Sequence, residues 1–246
     1  MEGDDQGELS LLNSFVLIFG GSYMRLDSHD AYQLLIEDVI RSPKDWNQSE
    51  NRWVKHCVYV GLAAERIAQG IGVDSDFAKA LGYVHDIGRK ISHPRHVIEG
   101  YNYLMRLGYD EMARSCLTHS FIDNDINLTA GGPLRTDTQA MMLPYLENHP
   151  ANIYDNIVQL CDLFCLETGY TTVEKRMLDI SMRKGMFSNS LEHFHSVLNL
   201  KARIEEQLNC SLYDLFPEIS KEDINHISED REQLERLLVV PMIKKK

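Results

Sequence analysis

The sequence lacks a long hydrophobic run, a Cys-x-x-Cys pair and an excess of basic charge, and each absence excludes a class of protein. The apolar stretch at residues 11–19 is short and interrupted by Asn13 and Ser14, so we expect neither a signal peptide nor a membrane span. The five cysteines are odd in number, which favours reduced thiols and a cytoplasmic location over a disulfide framework.

The balance of charge argues against a general nucleic-acid-binding protein. The chain of 246 residues has 25 basic and 37 acidic residues and a formal net charge of -12, whereas nucleic-acid surfaces need a basic stripe that displaces counterions from phosphates. Its length and its 43% content of hydrophobic residues suit one large globular domain, or one domain with helical extensions.

Apolar residues recur at helical spacing along most of the chain, and no convincing period-2 strand appears. The pattern therefore predicts an all-α fold. A first helix is capped by Asp27 or Ser28 and ends at Ser42-Pro43. Residues 121–136 contain Gly131-Gly132 and Pro133 and read as a loop that forms a lid or rim. The other predicted helices are residues 50–70, 75–88, 94–107, 110–119, 137–147, 153–167, 172–184, 190–207 and 221–238.

The adjacent pair His85-Asp86 is the most informative feature that is present. It ends an apolar, helix-patterned run, and Gly88 just beyond it is predicted to be the helix C-cap. Adjacent side chains on a helix diverge by about 100°, so a metal held by this pair needs further ligands from other helices. The rest of the chain should supply histidines and a second acid.

Four residues elsewhere in the sequence fit that requirement. His56 lies among apolar residues at helical spacing. Asp162 lies in a run so apolar that an unpaired carboxylate there would be costly. His96 and His119 are spaced as the outer ends of a helical hairpin, although helix capping or core hydrogen bonding would also explain them.

The order His56, His85-Asp86, Asp162 resembles the HD-domain superfamily of metal-dependent phosphohydrolases. The segment from His85 to Arg89 is similar to its HDIG-type branch, and His96 with His119 resembles a short-loop HDIG subgroup. The resemblance covers residues 51–176. It implies an HD-domain helical bundle at residues 46–185, with helical extensions at 1–45 and 186–246, the latter packed on the HD domain. It also implies two metal ions and six ligands: His56, His85, Asp86, His96, His119 and Asp162.

These ligand types indicate the chemistry. Imidazole and carboxylate ligands suit Fe or Mn, which we favour, and also Zn, Ni or Co. Asp86 is a candidate catalytic residue that bridges both ions or holds the attacking water. Basic residues near the site are candidate phosphate ligands: Arg89, which is also a catalytic candidate, together with Lys90 and Arg52. Arg176 joins them because it resembles the position of a phosphate-facing basic residue in related HD proteins.

The expected function is hydrolysis of a phosphate monoester or diester of a nucleotide or small metabolite. Two alternatives stay open. An HD-type diiron oxygenase acting on a polyol or organophosphonate would use an equivalent ligand set but would need dioxygen. A non-catalytic nucleotide sensor would bind its ligand without turnover. The expected partner is a small phosphorylated substrate rather than a membrane, and the tail at residues 211–246 provides either core packing or the face of a homodimer.

Overall fold

The computed structural model describes residues 24–130 and 136–239, and this part of the chain is almost entirely helical. The expected all-α class is confirmed. Short 3₁₀ turns connect the helices at Asp45–Asn47, Ser49–Asn51, Ile87–Lys90, Ile122–Asn124 and Leu212–Leu215. The described α-helices are α1 (Ser28–Ile36), α2 (Arg52–Ile71), α3 (Ser75–Val84), α4 (His96–Arg106), α5 (Asp110–Thr118), α6 (Thr136–Asn148), α7 (Ile153–Phe164), α8 (Val173–Lys184), α9 (Ser190–Leu208), α10 (Lys221–Asn225) and α11 (Ile227–Val239).

The sequence predictions differ from the structure mainly at helix ends. Asp27 caps α1 as predicted, because its side chain accepts a hydrogen bond from the backbone of Asp30, but α1 ends well before Ser42-Pro43. The predicted helix 153–167 ends early because a small antiparallel hairpin follows it, in which β1 (Cys165–Leu166) pairs with β2 (Gly169–Tyr170). Strands of two residues are too short to show an alternating pattern.

The helices α2 and α3 form the centre of the core and cross at two glycines. A Cβ atom on Gly82 would lie 2.6 Å from the Cα atom of Gly61, so only glycine allows this approach. The crossing brings the middle of α2 against the end of α3. Buried residues of both helices, including Val54, Val60 and Leu81, belong to one large hydrophobic core.

An ion pair between the partly buried Arg114 and the buried Asp155 joins α5 to α7. The guanidinium of Arg114 donates to both carboxylate oxygens of Asp155, and Asp155 also accepts from the Thr118 hydroxyl at 2.9 Å. The same carboxylate completes the capping box at the start of α7 with Asn152. Because each charge has several partners, the pair fixes the relative position of the two helices.

The C-terminal helices pack on this core and hold α8. Glu174 is completely buried, and its carboxylate accepts hydrogen bonds from the Tyr213 hydroxyl and from Arg231 Nη2. Nearby, Lys175 Nζ pairs with Asp223 at 2.6 Å. Residues after the hairpin therefore determine where α8 lies.

Some sequence predictions stay predictions. The domain boundaries at residues 45 and 185 are not tested by these contacts. Residues 1–23, 131–135 and 240–246, which include much of the predicted N-terminal extension and part of the predicted loop, lie outside the described residues. Within the described ranges, no helix combines the length and the apolarity needed to cross a membrane, and all five cysteines are free.

The buried side chain of His193 on α9 predicts a loss of stability at acid pH. Burial lowers the pKa of His193 to about 4 from 6.5. A hydrogen bond with the Leu128 backbone opposes this shift, and the charge of Lys184 adds to it. Unfolding therefore takes up a proton between these two values. We expect the free energy of unfolding to fall by about 3 kcal/mol from this group as the pH drops from 6.5 to 4.

The comparison is with His193→Gln, in which the amide replaces the imidazole without a titratable group. Both proteins are unfolded with urea in their metal-free form. Between pH 7 and pH 4 the wild type should lose about 3 kcal/mol more of its free energy of unfolding than His193→Gln does. The same pH dependence in both proteins would contradict the assignment.

Candidate metal centre

Four histidines and two aspartates that are distant in sequence meet at one end of the helical core. The positions follow from the fold, since α2, α3, α5 and α7 all belong to the packed centre and α4 lies against the turn that follows α3. We refer to these six residues as the His/Asp cluster. Its members are His56 in α2, His85 and Asp86 directly after α3, His96 at the start of α4, His119 directly after α5, and Asp162 in α7.

All four imidazoles are held in the same way. In each ring Nδ1 lies within hydrogen-bonding distance of a backbone carbonyl, and a neutral ring that donates from Nδ1 leaves its Nε2 lone pair free for a metal ion. The main chain thus selects the ligand atom. The partners are Cys165 O at 3.2 Å for His56, Gly82 O at 2.7 Å for His85, His93 O at 2.8 Å for His96, and Ser115 O at 3.1 Å for His119.

The Nε2 atoms of the four rings face the two carboxylates, and that of His56 lies within hydrogen-bonding distance of Asp162. His56 Nε2 lies 2.9 Å from Asp162 Oδ1, and His85 Nε2 lies 3.8 Å from the same oxygen. On the other side, Asp86 Oδ1 lies 3.2 Å from His96 Nε2 and 3.6 Å from His119 Nε2. Asp86 therefore stands between two groups of imidazoles.

This arrangement contains two sets of three ligand atoms, each set mutually within 4.8 Å. One set is His56, His85 and Asp86, and the other is Asp86, His96 and His119. Asp162 adds a carboxylate beside the first set. A carboxylate has two oxygens, so Asp86 can serve both sets at once.

Two buried atoms in the cluster have no hydrogen-bond partner within the described residues, namely His85 Nε2 and Asp86 Oδ1. Both residues are almost completely buried, and an unpartnered buried polar atom costs about 1–3 kcal/mol. One atom belongs to each side of the cluster. A divalent cation on each side would satisfy them, so the residues present fit a metal centre.

The electrostatics of the cluster favour metal-binding protonation states. Burial lowers the pKa of His85, His96 and His119, because it disfavours the charged form of each imidazole. Burial alone would raise the pKa of Asp86, but His85, His96 and Arg89 together hold it below its ordinary value. Burial would also raise the pKa of Asp162, but its hydrogen bond with His56 and the neighbouring histidines hold that pKa well below its ordinary value.

The turn after α3 depends on Gly88 in a way that differs from the prediction. Gly88 is not a helix C-cap: α3 ends at Val84, and Gly88 lies within the 3₁₀ turn Ile87–Lys90. A Cβ atom there would lie 2.0 Å from His96 O and 2.4 Å from Gly100 N. The glycine is needed because the backbone of α4 lies directly against the turn, and this contact places His96 opposite Asp86.

The two basic residues of this turn have different surroundings. Arg89 Nε donates to Asp86 Oδ2 at 2.5 Å and its Nη1 lies 3.1 Å from His93 Nδ1, so Arg89 contacts the cluster directly. Lys90 Nζ donates to Leu34 O and Glu37 O at the end of α1. Its predicted role in substrate binding stays a prediction, and this placement does not favour it.

The other two predicted substrate ligands also have protein partners. Arg52 is exposed and forms an ion pair with Glu167, with 3.3 Å between Nη1 and Oε1. Arg176 Nη1 pairs with Asp179 at 2.9 Å, whereas its Nε is buried and has no partner within the described residues. Both roles stay predictions.

Sequence reasoning missed Lys184, the last residue of α8. Lys184 lies within electrostatic range of Asp162, Arg176 and Arg89, yet it is 22 positions after Asp162 and no motif includes it. Only its spacing of eight residues from Arg176, which places both on one side of a helix, is visible in the sequence.

The predicted loop at residues 121–136 is anchored where it is described, since Gln159 Nε2 donates to Phe121 O. Its role as a lid stays a prediction.

The comparison with known families agrees with this geometry. The family model described as the HD domain matches residues 53–165. This range contains all six residues of the His/Asp cluster. No curated protein and no solved structure matches the chain.

Proposed function

We propose that the protein is a metal-dependent phosphohydrolase that acts on a small organic phosphate, since residues 53–165 match the family model of the HD domain. The observation that supports the proposal best is the common orientation of the four imidazoles, whose Nδ1 atoms are held by carbonyls so that every Nε2 faces Asp86 or Asp162. Structural histidines have no need for such a shared direction.

We propose two ion positions. His56, His85, Asp86 and Asp162 would hold one ion, and Asp86, His96 and His119 the other. Bound divalent ions supply Lewis acidity, which ionises water near neutral pH and offsets the charge of a phosphoryl group. The donor set of nitrogen and oxygen atoms suits Mn or Fe, and also Zn, Ni or Co.

Arg89 has two tasks in this proposal. Its Nε hydrogen bond to Asp86 Oδ2 fixes the orientation of the carboxylate that both ligand sets share. The side chain is about a quarter exposed, at 28%, so the rest of the guanidinium reaches the entrance of the site. A planar guanidinium there binds phosphate oxygens in bidentate fashion.

The proposal is tested by assaying the Mn-loaded protein on a panel of nucleoside monophosphates, sugar phosphates and phosphodiesters. We expect phosphate release at equal rates in aerobic and anaerobic buffer, because hydrolysis needs no oxidant. The metal-free protein is the control and should be inactive until Mn is restored.

Two results would contradict the proposal. Strict dependence on iron and dioxygen would favour the diiron oxygenase. Tight binding of a nucleotide without any turnover would favour the sensor.

A homodimer through the C-terminal helices remains a prediction, which the molar mass in solution would test.

A further inference from the structure

An exposed histidine outside the His/Asp cluster, His93, has two contacts with residues of the site. Its ring Nδ1 lies 3.1 Å from Arg89 Nη1, and its backbone oxygen lies 2.8 Å from His96 Nδ1. Pro94 follows it directly and helps to keep His93 out of α4, because the residue before a proline disfavours helical backbone angles. His93 therefore lies on the solvent side of the turn that carries Arg89.

The contact with Arg89 determines which nitrogen of the His93 ring carries the proton. An arginine side chain has N–H donors and no acceptor, so His93 Nδ1 is the acceptor in this hydrogen bond. A neutral His93 then carries its proton on Nε2. The four imidazoles of the cluster have the opposite arrangement, since their Nδ1 atoms face carbonyls. The His93 ring is thus arranged to hold a guanidinium rather than a metal ion.

Four residues form a closed ring of contacts on one side of the cluster. Asp86 Oδ2 accepts from Arg89 Nε at 2.5 Å, Arg89 Nη1 donates to His93 Nδ1, and the His93 carbonyl accepts from His96 Nδ1. His96 Nε2 closes the ring, because it lies 3.2 Å from Asp86 Oδ1. Arg89 is therefore held at two of its three nitrogens.

The second of these contacts fixes the orientation of the Arg89 guanidinium. A hydrogen bond at Nε alone allows the planar group to rock about that contact, whereas a further bond at Nη1 holds the plane in one position. Within residues 24–130 and 136–239, Arg89 makes no hydrogen bond through Nη2. Since the side chain is also partly exposed, Nη2 is left for a ligand.

We propose that His93 is a positioning residue, which strengthens phosphate binding by holding the guanidinium of Arg89. This inference rests on the proposed function, in which Arg89 binds the phosphate. The His93 ring occupies Nη1, Asp86 occupies Nε, and Nη2 donates to a phosphate oxygen. The contact with His96 comes from the backbone of His93, so replacing the His93 side chain leaves the proposed metal ligands in place.

The test measures the dissociation constant of inorganic phosphate by calorimetry on the Mn-loaded protein. We expect His93→Ala to bind phosphate about fivefold more weakly than the wild type, as the loss of one hydrogen bond provides, with unchanged metal content. His93→Asn should bind phosphate within about twofold of the wild type, because its amide oxygen can accept from Arg89 Nη1.

His29→Ala is the control for the removal of an exposed histidine. His29 lies in α1, next to Ser28, whose backbone N–H donates to Asp76 at the start of α3. The His/Asp cluster is at the other end of α3, where His85 follows Val84. This variant should bind phosphate as tightly as the wild type.

A double-mutant cycle with Arg89→Gln decides whether His93 acts through Arg89. In the Arg89→Gln protein, His93→Ala should cause no further loss of phosphate affinity, because the guanidinium that His93 holds is absent. A structural role of His93 would instead lower the affinity equally in both backgrounds.

Four results would overturn the proposal. They are equal phosphate affinity of wild type and His93→Ala, an equal effect of His93→Ala with and without Arg89, loss of metal from His93→Ala, and a wild-type protein that does not bind phosphate. Failure of the proposed function is a separate result. Phosphate affinity is measured without turnover, whereas only the panel of phosphate esters tests hydrolysis.

Discussion

Asp86→Asn is expected to lose both metal ions and almost all phosphatase activity. The carboxylate of Asp86 belongs to both ligand sets, so one substitution weakens both ion positions, whereas the amide keeps the shape of the side chain. We expect the metal content to fall from about two ions per chain to less than one, and turnover to fall by at least about 100-fold, because the charge of the transition state loses its main stabilisation. Metal analysis and the rate on the best phosphate ester measure both effects.

The matched comparison is His96→Ala, which removes a ligand from one set only. This variant should retain about one ion per chain, held by His56, His85 and Asp162, and its fold should remain intact. If Asp86→Asn kept two ions, or if His96→Ala kept both, the shared-carboxylate arrangement would be wrong. Unchanged metal content with a lower melting temperature would indicate that His96 has a structural role alone.

Gly88→Ala is expected to destabilise the protein strongly and to disturb one ion position more than the other. The added Cβ atom would meet His96 O at 2.0 Å and Gly100 N at 2.4 Å, and both are backbone atoms that move only with α4. Overpacking of this kind lowers the free energy of unfolding by about 3 kcal/mol. Because α4 carries His96, we expect the ion of Asp86, His96 and His119 to be lost first.

Gly72→Ala separates this steric effect from the general cost of replacing a glycine. Gly72 has a φ of 85°, and nothing lies within 4 Å of its Cβ position, so the change should cost about 1 kcal/mol from backbone strain. Its metal content should equal that of the wild type. Urea unfolding and metal analysis of both variants decide the matter, and similar results for Gly72→Ala and Gly88→Ala would refute the close contact of α4 with the turn.

Much of the fold was predictable because helical spacing of apolar residues is a local signal. The predicted start of the helix at residue 153 and its buried face agree with α7. Helix ends were predicted less well: Gly88 has the residue type of a C-cap, but its actual role depends on contact with α4, which the sequence does not display. The hairpin at Cys165 was missed because its strands contain two residues each.

In the candidate site, too, residues marked by a local sequence pattern were predicted, whereas contacts that depend on helix packing were not. The pair His85-Asp86 and the four other members of the cluster were predicted as ligands, and the structure brings all six together, although the bound metal itself remains a prediction. Lys90 was proposed from its position after the turn, yet its ammonium contacts the end of α1. Lys184 was not proposed, because no motif includes it and its electrostatic interaction with Asp162 depends on the packing of α8.

The position of Arg176, a predicted phosphate ligand, after residue 165 has an evolutionary consequence. The six residues proposed as metal ligands all lie in the segment matched to the HD domain, whereas Arg176 lies on α8, which Tyr213 and Arg231 hold through Glu174. If Arg176 contacts the substrate as predicted, mutations in the C-terminal helices can alter which molecules are accepted without touching the residues proposed to hold the metal ions. Selection can diversify the substrate range of such a protein while its reaction stays the same.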